Sequence, residues 1–229
     1  MPPTLQPPPS PIEFKWKVQG FPDFVSAPRV EGGNLTFPSA PDSHVKWSFF
    51  AANRTAPNME VANRFSHLSR SFRDEKFVRD FNQLYPSIKG LSVEVSAGSP
   101  MLFAKVEDLP EKIPLSLASG GMSKLAAILL AMPEMEGGLI MIDEIENGIY
   151  YKRLPMVWKA LLEFSRVYNC QLFVSTHSGE CIDAAATLAQ ETPEEFSVMR
   201  TVLEKGETQV RHFNGDRFGD AIEENIEIR

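Results

Sequence analysis

Cysteine is scarce in this 229-residue chain: only Cys170 and Cys181 occur, and they show no metal-ligand spacing. That leaves no disulfide framework and no cysteine-held zinc. Two isolated thiols beside apolar segments are expected to be buried and reduced, as in a cytoplasmic protein. No apolar run approaches the ~18–20 residues of a membrane span, and the first residues lack the charged and apolar regions of a signal peptide, so no membrane partner is expected. Positive charge is not in excess either. The formal net charge of −7 argues against wholesale electrostatic binding of nucleic acid. No internal repeat is found. The phosphate-loop pattern G-x-x-x-x-G-K-[S/T] occurs nowhere: Gly32-Gly33 runs into Asn34-Leu35-Thr36, and Gly120-Gly121 lacks the spacing.

What is present points to a folded core. Hydrophobic residues make up 43% of the chain and charged residues 23%. A chain of this length can bury roughly 70–75% of its unfolded surface, most simply as one domain with a smaller appendage. The run Leu139-Ile-Met-Ile-Asp-Glu144 follows a glycine pair and ends in adjacent carboxylates. Its apolar part reads as a strand buried on both faces. Buried charge is costly unless paired or coordinated, so two acids at the strand's tip require a reason. They either cap the strand where it meets solvent or do the work of nucleotide hydrolases, the first holding Mg²⁺ and the second polarising a water.

Two further segments bear on that choice. Leu117-Ala-Ser-Gly-Gly-Met-Ser-Lys-Leu125 is a Ser-Gly-Gly turn opening an apolar helix through Met132. Glycines allow close backbone approach, and a helix N-terminus offers free N–H groups to an anion. Gln171-Leu-Phe-Val-Ser-Thr-His-Ser178 is a second strand-like run ending in a polar triplet around His177. Histidine at such an end can donate to a phosphate oxygen or orient a water. Taken singly, the turn could be a plain loop and the histidine structural. Their order is more specific than any one part.

That order resembles the C-terminal half of ATP-binding-cassette ATPases. Ala118-Ser-Gly-Gly-Met122 is similar to the signature motif, with Ala and Met at its outer positions. Leu139 to Glu144 is similar to Walker B with its glutamate, Ile145 to Ile149 takes the place of the D-loop, and His177 that of the switch histidine. Ile142 to Gly148 with Thr176-His-Ser178 most resembles AAA-family ATP-binding proteins of the bacterial defence, overcoming-lysogenization-defect (OLD) type. Phe49 to Arg54 and Ala97 to Pro100 also fit that branch.

The resemblance implies a P-loop NTPase-like α/β fold: a parallel sheet with flanking helices, plus a small N-terminal antiparallel β segment and a helical subdomain. It implies ATP hydrolysis between two heads. Asp143 would hold Mg²⁺, Glu144 the attacking water, and His177 the γ-phosphate, while Ser119, Gly120 and Gly121 would serve the partner's ATP in trans. Glu146 and Asn147 would lie at the dimer seam or form an ordinary turn. Lys124 is a phosphate contact or a surface lysine. The resembled family carries its phosphate loop before the region where this chain begins, so the isolated chain is expected to be inactive. It would need another ATPase head, or a separate chain supplying Walker A.

Along the chain, residues 1–12 are proline-dense and expected to form a disordered arm. An antiparallel β segment is expected over 13–50, a helical and hairpin subdomain over 51–114, and the ATPase core over 115–229. Helices are expected at Asn58 to Ser71, Asp74 to Tyr85, Met122 to Met132, Leu154 to Tyr168 and Gly179 to Gln190. Leu91 to Val95 and Met101 to Val106 read as a hairpin, and the tail as two strands and a helix from Phe218 to Asn225. Charge is uneven, +3 over residues 1–90 and −10 beyond. Arg54, Arg64, Arg70, Arg73, Lys76 and Arg79 alternate with Phe65, Phe72 and Phe77. This is either a solvated helical face or a basic patch for a nucleic-acid or effector partner.

Three functions remain open: an ATPase half completed by a separate phosphate loop, a non-hydrolysing interaction module on the same fold, and a metal-dependent nuclease. The nuclease reading is weakest, because Toprim chemistry needs an Asp-x-Asp that this chain lacks.

Overall fold

The computed structural model describes residues 14–16, 24–26, 29–31, 34–36, 46–204 and 207–218. The chain divides into two units, Met1–Val45 and Lys46–Arg229. The proline-dense arm lies outside the described residues, as does the tail helix beyond Phe218.

The first unit contains two antiparallel pairs. Strand β1 (Phe14–Trp16) pairs with β2 (Phe24–Ser26), and β3 (Arg29–Glu31) with β4 (Asn34–Thr36). The next strand, β5 (Trp47–Phe50), does not continue this arrangement as expected for residues 13–50. It pairs in parallel with β9 (Leu139–Ile142), in register Trp47 to Leu139 through Phe50 to Ile142. Ser48 and Phe50 turn towards the core from one face of β5, and that burial outweighs local pairing with preceding residues.

Between β5 and β9 lies the helical and hairpin region. Helix α1 (Asn58–Arg70) buries Val61, Phe65 and Leu68, and α2 (Asp74–Leu84) buries Phe77, Phe81 and Leu84, each at helical spacing. Phe77 stacks on Phe81 at 5.9 Å and meets Phe65 edge-on at 6.2 Å. Helix α1 closes with Phe72 N–H on the Ser69 carbonyl and Arg73 N–H on that of Leu68. Phe72 occupies the left-handed position (φ 57°) usually taken by glycine in this cap, with its ring 93% exposed.

The arginine-rich stretch is neither wholly solvated nor a continuous basic patch. Arg64 is buried and bonded to Glu60 and Glu134, while Lys76 and Arg79 pair with Asp80 and Glu75 one turn away. Strands β6 (Ile88–Ser96) and β7 (Ser99–Val106) form the expected hairpin, with the short β8 (Ile113–Pro114) on the outer side of β7.

The α/β part follows: α3 (Leu115–Ala118), α4 (Gly120–Ala131), β9, α5 (Leu154–Tyr168), β10 (Gln171–Val174) and α6 (Gly179–Glu191). Strands β5, β9 and β10 form a parallel sheet with β9 central. Phe50, Ile140 and Ile142 pack with Leu125 to Met132 of α4 and its 3₁₀ extension, and with Leu154, Val157 and Leu161 of α5. Val167 is exposed at the last turn of α5.

The expected burial of β9 on both faces holds on one face only. Register aligns Phe49, Met141 and Phe173 in a row across the sheet, with Trp47 and Leu139 beside it. Trp47 is 60% exposed, Phe49 54% and Phe173 48%, while Leu139 and Met141 are half-buried. The apolar run of β9 thus fits a double-sided strand whose second face is only partly covered among the described residues.

Finally, β11 (Ser197–Glu204) and β12 (Glu207–Asn214) pair as an antiparallel ribbon. Cys181 is fully buried and Cys170 nearly so. The Cys170 thiol donates to the Met135 carbonyl at 3.0 Å, and burial raises both thiol pKa values. Among the described residues, no helix is long and apolar enough to cross a membrane.

Candidate functional site

The three parallel strands end level with one another at Phe50, Ile142 and Val174. The residues just beyond therefore converge, where ligands bind in parallel sheets. From β5 comes the Ala52 N–H, which donates to Asp143 Oδ2 at 3.4 Å. From β9 come Asp143 and Glu144. From β10 comes Ser175, whose hydroxyl donates to Asp143 Oδ1 at 2.6 Å and accepts the Glu144 N–H at 3.0 Å. The Ser175 hydrogen bond, helped by the Ala52 amide, Lys124 and His177, holds the Asp143 carboxyl below the usual carboxylate range.

Glu144 sits in the left-handed region, with φ 44°. A non-glycine residue persists there only when its surroundings hold it. Asn147 Nδ2 donates to Glu144 Oε2 at 2.7 Å, fixing the carboxylate as well as the backbone. The Asp143-Glu144 turn is thus a fixed structure.

Lys124, on the first turns of α4, is neither a plain surface lysine nor free to reach a ligand. Its ammonium donates to the main-chain carbonyls of Asp143 at 3.1 Å and Glu144 at 2.6 Å. Burial depresses its pKa, and the charges of Glu146, Asp143 and Glu144 oppose that shift. Glu146 reaches across to accept the His177 N–H at 3.0 Å, leaving its second oxygen buried without a protein partner. The His177 side chain is exposed at the rim beside Asp143.

The Ser-Gly-Gly turn joins the same cluster. Ser119 caps α4 by accepting the Met122 N–H at 3.5 Å. A Cβ on Gly121 would lie 2.0 Å from the Gly148 carbonyl oxygen, whereas one on Gly120 would meet nothing within 4 Å. The two glycines therefore differ. Gly121 is needed so that α4 can approach the loop after Glu144, and Gly120 faces open space at the helix N-terminus.

The structure sets Asp143, Glu144 and His177, singled out from sequence, at or just beyond the strand ends, and Gly121, with Gly120 beside it, against the loop at Gly148, while Ser119 caps α4. Sequence reasoning missed the bridging role of Ser175, although Ser175 belongs to the polar triplet read around His177. It also left Lys124 undecided, because nothing in a single sequence tells which carbonyls a lysine will meet.

Among the described residues, no group of three or more His, Cys, Asp or Glu surrounds a common point. The donor set at this point is the Asp143 carboxylate, because the Ser175 hydroxyl is already engaged by Asp143 and the Glu144 N–H. That set fits a Mg²⁺ that brings phosphate oxygens and water with it, not a cation caged by protein alone.

Residues 33–183 match the family described as "AAA domain, putative AbiEii toxin, Type IV TA system". A curated relative, an "ATP/GTP phosphatase" of Helicobacter pylori, is 27% identical over 173 residues, covering 71% of this chain. This chain spans 46% of that relative's length. Among solved structures, a structural-maintenance-of-chromosomes (SMC) head bound to the C-terminal winged-helix domain of ScpA aligns with a TM-score of 0.54 at 13% identity. That alignment covers 84% of this chain and 68% of the other. An SMC head with an extended coiled coil from Pyrococcus furiosus, bound to the ScpA C-terminal domain, aligns with a TM-score of 0.50 at 16% identity, over 71% of this chain and 40% of the other. These likenesses establish the P-loop NTPase-like fold. With the match covering well over half its length, the chain belongs to this AAA-domain family.

Proposed function

We propose that this chain is the acid-bearing part of an OLD-like, ABC-type ATPase head that acts on Mg-ATP held between two heads. The observation that carries the reading is the convergence of the Asp143-Glu144 turn, the end of β10 with His177, and the N-terminus of α4 in one chain.

Asp143, its carboxyl kept ionised by Ser175 and Ala52, is the group that would hold Mg²⁺. When bound, that ion would neutralise phosphate charge. Glu144, fixed by Asn147, is placed to accept a proton from an attacking water. His177 stands at the rim to donate to a terminal phosphate oxygen. Ser119 and Gly120 present a helix N-terminus, suited to an anion brought by the facing head. The phosphate loop, absent from these 229 residues, comes in this reading from another segment or another chain. A cytoplasmic setting and a nuclease, nucleic-acid or other effector partner belong to the same proposal.

A second reading, a non-hydrolysing interaction module, is favoured by the exposure of Trp47, Phe49 and Phe173 on one face of the parallel sheet. The two part on one experiment. In a complex of this chain with a head that carries the phosphate loop, Glu144→Gln is expected to abolish ATP turnover while ATP-dependent association persists. Turnover surviving at more than about a tenth of the wild-type rate would overturn the hydrolytic role of Glu144.

A further inference from the structure

Ser175 makes hydrogen bonds to four consecutive residues of the neighbouring strand end. Its N–H donates to the Ile142 carbonyl at 2.9 Å, and its carbonyl accepts the Ile145 N–H at 3.2 Å. Between them its hydroxyl donates to Asp143 Oδ1 at 2.6 Å and accepts the Glu144 N–H at 3.0 Å. The two main-chain bonds continue the parallel ladder and could be made by any residue but proline. The two hydroxyl bonds could not.

The hydroxyl uses its proton on one acid and a lone pair on the backbone of the other. The 2.6 Å distance to Asp143 is that of a charge-assisted O–H···O⁻ bond. At that point the chain departs from extended geometry, because Glu144 takes φ 44°. An N–H turned out of the ladder needs another acceptor, and Ser175 Oγ supplies it. Asn147 fixes the far end of the same side chain, so Glu144 is held at both its backbone and its carboxylate. Alanine at 175 would release the Glu144 N–H and one Asp143 oxygen together. Threonine would keep the hydroxyl.

We infer that Ser175 is a positioning residue that sets the orientation of Asp143 and Glu144 as a pair, through a single hydroxyl that bonds to both. The inference rests on the hydrolytic reading of Asp143 and Glu144 given above. Groups that orient a metal-binding or reacting side chain without touching substrate are typically worth ~10–100-fold when removed. The loss is expected in the chemical step, because Ser175 supplies no group to the nucleotide.

The test compares Ser175→Ala, Ser175→Thr and Glu144→Gln in the phosphate-loop-completed complex, by single-turnover and steady-state ATP hydrolysis. Ser175→Ala is expected to lower the single-turnover rate constant and kcat by ~10–100-fold with KM for ATP unchanged within about two-fold, and Ser175→Thr to recover most of that loss. In the full chain alone, Ser175→Ala is expected to speed hydrogen exchange at the Glu144 amide by at least about ten-fold, with the Ile145 amide little changed. If Ser175→Ala does not fold, Ser175→Cys, which keeps the volume and weakens both bonds, takes its place. Glu144→Gln inactive with Ser175→Ala turning over like the wild type would overturn the role of Ser175 and leave the ATPase reading standing. Glu144→Gln still active would overturn that reading and this one with it. Equal loss in the alanine and threonine variants would reduce Ser175 to a packing residue.

Discussion

Gly120 and Gly121 are adjacent and read alike in sequence, yet the structure gives them opposite sensitivities to a methyl group. A Cβ on Gly121 would stand 2.0 Å from the Gly148 carbonyl oxygen, 2.6 Å from its carbon and 3.2 Å from Ile149 Cγ1. Two of these neighbours are backbone and cannot rotate away, so α4 and the loop after Glu144 must separate by about an ångström or more. Overpacking of this kind costs ~1–3 kcal/mol, or more where only backbone can yield. Alanine gains back at most ~1 kcal/mol of helix propensity, and less in a first turn. Gly121→Ala is therefore expected to destabilise the chain by a net ~1–2 kcal/mol, lowering Tm by roughly 2–8 °C for a domain of this size. Gly120→Ala, with nothing within 4 Å, is expected to leave Tm unchanged or slightly raised. Urea and thermal unfolding of both variants, followed by circular dichroism, make the comparison. A Gly121→Ala variant as stable as the wild type, or a Gly120→Ala variant less stable than Gly121→Ala, would refute the packing argument. If Gly120 also serves a facing head, Gly120→Ala weakens ATP-dependent association without touching stability, separating two roles that the motif merges.

Three further outcomes follow from the same structure. The isolated 229-residue chain is expected not to bind Mg-ATP at low micromolar concentration, since it carries no phosphate loop to supply most β- and γ-phosphate contacts; calorimetry showing such binding would sink the idea. The row Phe49, Met141 and Phe173 with Trp47 beside it predicts self-association or strong binding of a hydrophobic dye, reduced by Phe49→Ser; a monodisperse wild type by light scattering with no dye uptake would contradict it. Arg64→Ala should cost ~1–2 kcal/mol through lost stem packing and two lost ion pairs, while Arg64→Met, which keeps the stem and removes the unpartnered Nη1, should cost less; equal losses by urea unfolding would point to the charges alone.

Much of the α/β part was legible because its strands run into polar residues and α4 and α6 start at serine caps. Leu154 to Tyr168 and Leu139 to Ile142 fall where expected, since Pro155 starts one and the acids end the other. The assignment of β5 failed for a physical reason. Trp47 to Phe50 is a short apolar run flanked by turn residues, and only its pairing with β9, about ninety residues later, makes it parallel. Arg64 misled in the same way, because its partner Glu134 lies seventy residues downstream. At the site, the carboxylates were readable by type and position. The groups that hold them, Ser175, Asn147 and Lys124, were not, because ordinary polar residues gain meaning only from what the fold sets beside them.

The two buried thiols give the region around His177 a built-in clock. Cys170 directly precedes β10 and Cys181 lies in the first turn of α6, so they bracket Gln171 to Glu180. Cys181 is closed to an alkylating reagent in the folded chain and Cys170 nearly so, and their raised pKa values slow any attack further. Each alkylation therefore counts an opening event, and the two rates need not agree. If the end of β10 and the start of α6 breathe separately from the core, Cys181, whose amide is bonded to the Ser178 cap, will react before Cys170. A ligand that seals the strand ends would slow Cys181 alone. The ratio of the two labelling rates would then register occupancy of the site with no fluorescent probe attached and no turnover required.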